Sequence, residues 1–320
     1  MMRDGRLDVL RIALILAVVC IHTFCVMDYS AYPQYRTASL IVNTICHYAV
    51  PLFVMLSGIV LMNRCDEPLV DFYRKRLTRI LVPTVPCVSF FVLLRILRDG
   101  DQVTLVLKET LYGHPYYHLW FAFMLIGVYG LLPFLIRLVN EIPNIILVVL
   151  GALIIYVSWR VGEGPYQLLP YAAYTLLGMV LHRRYGGGSH RIEGSLAAIL
   201  LVIITIINAC VVLRSGSYWT IGYCSPFILI GSICALIAVL SLPVFNSEKV
   251  KTLSGLVFGV YLWHPFFKGV SIAVLSHTPY LRDQMWLVFP MTAACAFVSV
   301  FLISRTRVGA IILGVKGICK

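Results

Sequence analysis

Charged side chains are scarce in this chain, 12% of its residues, where a soluble globular domain carries about 25%. With 60% hydrophobic residues and a mean hydropathy of +0.90, that scarcity excludes an ordinary soluble domain and leaves an integral membrane protein. No basic stripe interleaved with aromatics sits on a soluble module, so the net charge of +12 does not point to nucleic acid. The ten cysteines lack CxxC spacing, so no zinc site is visible and a disulfide framework is not indicated. Cys20, Cys25, Cys46, Cys87, Cys234 and Cys295 fall in or beside apolar runs, where cysteine acts as a small hydrophobe. Cys210 and Cys224 flank one outer loop and could pair. No small-residue cleavage site precedes Tyr29, so the first apolar run is a retained transmembrane helix rather than a signal peptide. No internal repeat is evident, and the short connections leave no room for an appended soluble domain. Residues 1–320 read as one transmembrane domain.

Long apolar runs are what the chain has instead. Runs near twenty residues fall at about 8–27, 40–62, 80–97, 117–138, 143–159, 167–182, 195–213, 224–242, 253–275 and 286–305. The expectation is an all-α, polytopic protein of about ten transmembrane helices. Lys and Arg collect in alternate loops: 18 of the 26 fall on one side, among them Arg3, Arg64, Arg74, Lys75, Arg183, Arg184, Lys249, Lys316 and Lys320. The positive-inside rule then makes both termini cytoplasmic. The Gly186–Gly188 run with Ser189 reads as a flexible turn.

Polar residues inside apolar runs are the candidates for chemistry, because an unpaired ionisable group in lipid is costly. Arg11 and His22 are eleven residues apart, almost a whole number of turns, so both lie on one helix face roughly 16 Å apart. Asp8, three residues before Arg11, can pair with it at the cytoplasmic mouth. His22 lies deeper and is a potential base or an interhelical hydrogen bonder. Arg76 and Arg79, one turn apart at a helix start, are either a stop-transfer cluster on anionic headgroups or an anion clamp, since the arginine fork suits phosphate. In the second span, Pro51 loosens the backbone and Ser57-Gly58 permits close helix approach. Trp120, Tyr116 and Tyr117 read as interfacial anchors, and His114 and His118 face the outer side, where they could meet a substrate. Tyr261 and His264 share a face of the ninth span, and Pro265 frees a backbone carbonyl beside them.

In order along the chain, these segments resemble the acyltransferase-3 family of membrane acyltransferases. The matching pieces are Arg6 to Arg11 with Arg11-x10-His22, Pro51-Leu52-Phe53 to Ser57-Gly58, Arg76-x2-Arg79, Leu119-Trp120-Phe121, Tyr174 to Met179, and Tyr261-Leu262-Trp263-His264-Pro265. No single piece is specific; the ordered set is. The resemblance implies ten helices with cytoplasmic termini in a bacterial cytoplasmic (inner) membrane. It also implies transfer of an acyl group, usually acetyl, from cytoplasmic acyl-coenzyme A to a hydroxyl of an envelope sugar, polysaccharide or lipid-linked glycan. Acetyl-coenzyme A would be the donor and no metal is expected. Some relatives carry a further outer domain, so a separate envelope enzyme is a conceivable partner beside the surrounding lipid. On this reading His22, Arg11 and Asp8 are catalytic, with Asp8 orienting Arg11. Arg11, Arg76 and Arg79 bind the coenzyme A phosphates, and His118, Trp120, Tyr261 and His264 bind the acceptor.

Two other classes fit the same residues. One is a proton-coupled transporter or flippase with His22, His264 and Arg11 as relay or midplane site. The absence of inverted repeats and paired broken helices weighs against it. The other is a receptor or binding module without turnover.

Overall fold

A computed structural model describes residues 4–26, 33–62, 67–162, 168–188, 190–216, 218–278 and 284–315. Tyr29, Ser189 and the cations Arg3, Arg64, Arg282, Lys316 and Lys320 lie outside the described residues. The described residues form helices and no strand. In chain order these are α1 (Gly5–Thr23), α2 (Arg36–Cys46), α3 (Ala49–Leu61), α4 (Leu69–Leu97), α5 (Val103–Leu111), α6 (Trp120–Glu141) and α7 (Asn144–Val161). They continue with α8 (Leu168–Tyr185), α9 (Arg191–Ser215), α10 (Pro226–Leu240), α11 (Glu248–Ser276), α12 (Val288–Ile303) and α13 (Arg307–Ile312).

Seven of the helical segments are long and apolar enough to cross a membrane, fewer than the ten runs read from sequence. The runs at 8–27, 167–182 and 286–305 correspond to α1, α8 and α12. The charged ends of α1 and α8 and the 16-residue length of α12 separate them from the seven. Both α1 and α8 belong to the interior: every residue from Pro170 to Val180 is buried, the pattern of a helix surrounded by others. α1 packs against α3, α11 and α12, and α8 against α3, α6 and α7. α7 and α9 lie at the periphery, where exposed Ile145, Val149, Leu153, Leu196, Ile199 and Ile203 suit lipid.

Two predicted spans are reshaped by proline and by polar ends. The run at 40–62 is two helices broken at His47 and Tyr48. Pro51 cannot donate to the carbonyl four residues back, which is that of His47. The run at 80–97 begins eleven residues earlier, at Leu69. Arg76 and Arg79 therefore sit in the second and third turns of α4, not at its start.

The N-terminal end of α1 is tied down by Arg6, which is 2% exposed. Its guanidinium pairs with Asp4 at 2.7 Å and donates to the carbonyls of Leu240, Leu242 and Gly186. Arg6 thus braces α1 against the ends of α8 and α10 in addition to contributing to the charge bias. The conceivable Cys210–Cys224 pair is not formed: Cys210 is an exposed thiol on α9 and Cys224 is buried.

Close backbone approach of α3 and α8 rests on two glycines. A Cβ at Gly58 would lie 2.6 Å from the Thr175 carbonyl oxygen, and one at Gly178 would lie 2.5 Å from that of Met55. Neither backbone can yield without separating the helices. Gly178→Ala is therefore expected to destabilise the protein by about 1–3 kcal/mol, read as a lowered Tm in detergent. Gly269→Ala, where a Cβ meets nothing within 4 Å, should change stability by no more than about 0.5 kcal/mol.

Candidate active site

Three helices bring most of the sequence-predicted residues to two adjoining cavities or, for His264, against the wall of one. α1 supplies Asp8, Arg11 and His22, α4 supplies Arg76 and Arg79, and α11 supplies Tyr261 and His264. A cavity of about 880 Å³ at the α1 N-terminal end is lined by Asp8, Arg11, Arg76, Arg79 and Lys251, among others. A second, of about 280 Å³, runs deeper, with Arg11, Phe53, Phe258, His22, His118 and Tyr261 in its wall. The two share Arg11, Val60 and Gly255, so they meet at the guanidinium of Arg11. Along α1 the wall continues from Arg11 to His22, the one-face arrangement expected from their spacing.

Asp8 organises the junction. Its carboxylate is 2% exposed and its Oδ1 accepts from Arg11 Nη1 at 2.8 Å and from Ser254 Oγ at 2.8 Å. Burying a carboxylate is costly unless it is paired and hydrogen bonded, and here it is both. The same oxygen links α1 to α11 and holds the Arg11 fork at the neck between the cavities. Sequence reasoning did not single out Ser254, although it stands seven residues before Tyr261 and so on the same face of α11.

The α4 cations are not equivalent. Arg76 is 8% exposed, lies 4.6 Å over the Phe72 ring and donates to Glu67, which also accepts from Lys75. Hydrogen bonds from Lys75 and then Arg76 hold the Glu67 carboxyl below the usual carboxylate range. Arg79 lines the larger cavity together with Lys251. No sequence signal pointed to Glu67, because it lies just ahead of α4 and meets Arg76 nine residues on, not at i,i+3 or i,i+4 spacing within the helix. Lys251 carries a signal, since it is one turn before Ser254 on the face that continues to Tyr261.

At the deep end the rings converge. His22 packs against Tyr117 with centroids 5.0 Å apart and stacks on His264 at 5.3 Å with an interplanar angle of 25°. The expectation that His118 faces the outer side is corrected: it is 1% exposed and lies edge-on to His264 at 5.2 Å. The turn before α6 folds inward because the Tyr261 hydroxyl donates to the His118 carbonyl at 2.7 Å. Trp120 and Tyr116, read as anchors, also make contacts within the bundle. Trp120 stands in the wall of the deep cavity against Tyr171 and Tyr223, and Tyr116 stacks on Phe91 at 4.4 Å. His114 lies apart, in a separate pocket with Leu111 and Tyr112. Among the described residues, no group of three His, Cys, Asp or Glu side chains is arranged to hold a metal ion.

A cationic mouth, a narrow and largely apolar neck, and a histidine at its end suit a substrate with a polyanionic head and a thin reactive arm. The family model described as an acyltransferase domain matches residues 4–305. The chain belongs to the acyltransferase-3 family. This makes it a membrane acyltransferase, and the two cavities lie within the matched region but for its last few lining residues, Ala310 to Val315. No curated protein and no solved structure matches the chain.

Because Asp8 serves Arg11 and Ser254 with one oxygen, the three side chains act as a unit. Asp8→Asn and Ser254→Ala are expected to be non-additive in a double-mutant cycle of thermal stability, with a coupling of about 0.5 kcal/mol or more. Additive changes would separate Ser254 from the Asp8 network.

Proposed function

We propose that this acyltransferase moves an acyl group, acetyl in the first instance, from cytoplasmic acyl-coenzyme A to a hydroxyl of an envelope sugar or lipid-linked glycan. The membrane would be the bacterial cytoplasmic membrane, with ten spans and both termini in the cytoplasm. The observation that carries this reading is the pair of cavities joined at Arg11, cationic at one end and ending at His22 at the other.

In this reading Arg11, Arg79 and Lys251 hold the donor phosphates in the outer chamber, and Arg76 joins them once a phosphate displaces Glu67. Guanidinium forks match phosphate oxygens better than a single ammonium does. The thin pantetheine arm passes Val60 and Gly255 into the smaller chamber, whose apolar wall excludes water. His22 takes the proton of the acceptor hydroxyl as the oxygen attacks the thioester carbonyl. The C–S bond breaks, the ester forms, and the proton passes from His22 to the leaving thiolate. The alternative is a relay in which His22 receives the acyl group and then yields it to the hydroxyl. His264 stacks on His22 and Tyr117 packs against it at a tilt, and aromatic neighbours stabilise the imidazolium formed during turnover. Trp120 and Tyr261 line the same chamber toward the acceptor.

The test is transfer from labelled acetyl-coenzyme A to glycans, with the purified protein in lipid. His22→Ala is expected to lower transfer by about 10²- to 10⁴-fold and to leave coenzyme A binding within about threefold. Transfer that persists in His22→Ala would overturn the role of His22. Arg79→Ala should weaken donor binding about tenfold, the loss of one charge-assisted hydrogen-bonding group. Glu67→Gln is expected to do the opposite and tighten donor binding, because it releases Arg76 and removes a negative charge near the phosphates. An isothermal titration with coenzyme A reads both signs.

A further inference from the structure

The helix kink at Pro265 fixes which nitrogen of two buried histidines carries a proton. Pro265 has no N–H, so the Tyr261 carbonyl, four residues back in α11, has no helical donor. His264 fills that place: its Nδ1 lies 2.7 Å from the Tyr261 carbonyl oxygen. A carbonyl only accepts, so Nδ1 carries the hydrogen and Nε2 of the neutral ring keeps a lone pair. The next carbonyl along, Leu262, stands 3.1 Å from His118 Nε2 and also accepts from Cys87 Sγ at 3.2 Å. His118 is therefore the opposite tautomer, with its lone pair on Nδ1.

Both lone pairs are left over. His118 Nδ1 and His264 Nε2 are buried and have no hydrogen-bond partner among the described residues. Leaving a buried polar atom unmatched costs about 1–3 kcal/mol, and two such atoms on adjacent rings mark a place built for something that donates. His118 lines the deep cavity with His22 and Tyr261, and His264 stacks on His22. A second proton on either ring would bring a further cation close to Lys268, whose ammonium sits 5.4 Å from the Tyr117 ring that packs on His22. The pair is thus acceptor-only.

We propose that His118 and His264 are a tautomer-locked pair of hydrogen-bond acceptors that grips a polyhydroxylated acyl acceptor beside His22, and that Pro265 is the positioning residue that sets the lock. The assignment rests on the transfer reading above, and it adds how the acceptor is recognised. A site of lone pairs favours neutral groups that donate, such as neighbouring hydroxyls, and disfavours a carboxylate or phosphate presented at the same point.

The experiment is ¹⁵N NMR of the full-length protein in lipid nanodiscs with labelled histidine, signals being assigned by loss in His118→Asn and His264→Asn. The expected result is His264 protonated on Nδ1 and His118 on Nε2, both neutral. Pro265→Ala restores an N–H that competes for the Tyr261 carbonyl and should lower the Nδ1–H to Nε2–H ratio of His264 about five- to tenfold. Methyl glucoside, a soluble polyol, should move the signals of the two bare nitrogens in wild type and equally in His22→Ala. His264 found as the Nε2–H tautomer or as a cation would overturn the lock, and wild type settles that without any variant. An unchanged ratio in Pro265→Ala would remove Pro265 from the account. Bare nitrogens unmoved by the polyol would overturn the acceptor subsite, whereas wild type that transfers no acetyl group would overturn the transfer reading and leave the lock standing.

Discussion

One buried carboxylate governs the geometry of the inner half of this protein. Asp8 lies almost fully enclosed, and its Oδ1 accepts from both Arg11 and Ser254 at 2.8 Å. An ion so far from water is tolerated only when its partners are in place, so α1 and α11 must meet in this register for the bundle to close. That register puts Arg11 at the neck between the two cavities and aligns the inward face of α11 from Ser254 to Tyr261 along the same channel. Removing the carboxylate would take one partner from the Arg11 guanidinium and release a helix contact together.

The deep half depends on backbone rather than on charge. Pro265 interrupts the hydrogen-bond ladder of α11 at the Tyr261 carbonyl, and the side chains of His264, His118 and Cys87 gather on the carbonyls of Tyr261 and Leu262. A membrane helix accepts such a break only where neighbours satisfy the freed groups. Here the satisfaction is supplied by the rings that surround His22. The two halves therefore use one helix, α11, for different ends: a serine hydrogen bond to Asp8 near its start and an imidazole cluster around Pro265.

Much of this arrangement was legible in spacing. Arg11 and His22 on one face, Asp8 within reach of Arg11, and Tyr261 beside His264 all follow from helical periodicity and need no knowledge of other elements. The charged run at 74–79 was visible as an anion site or a headgroup clamp, and only the meeting of α4 with α1 in one cavity favours the first. Contacts between distant segments were not legible. Glu67, ahead of α4, reaches Arg76 outside helical spacing, and His118 turns inward because of a hydroxyl 143 residues away. The run at 40–62 looked continuous because apolar composition hides a break that Pro51 imposes through its missing N–H. The seven segments long and apolar enough to span leave out α1 and α8, which carry charges at their ends and find their burial among other helices.

The central claim is that donor and acceptor meet through the neck where the two cavities join. Gly255 lines both of them, and a Cβ built there meets nothing within 4 Å, so Gly255→Trp is the substitution chosen to fill the neck. The measurement is acetyl transfer and coenzyme A binding in that variant, side by side. The account predicts that coenzyme A still binds the cationic chamber while transfer falls at least about tenfold, the loss expected when a reacting group is held out of position. Transfer at the wild-type rate through a plugged neck would contradict it.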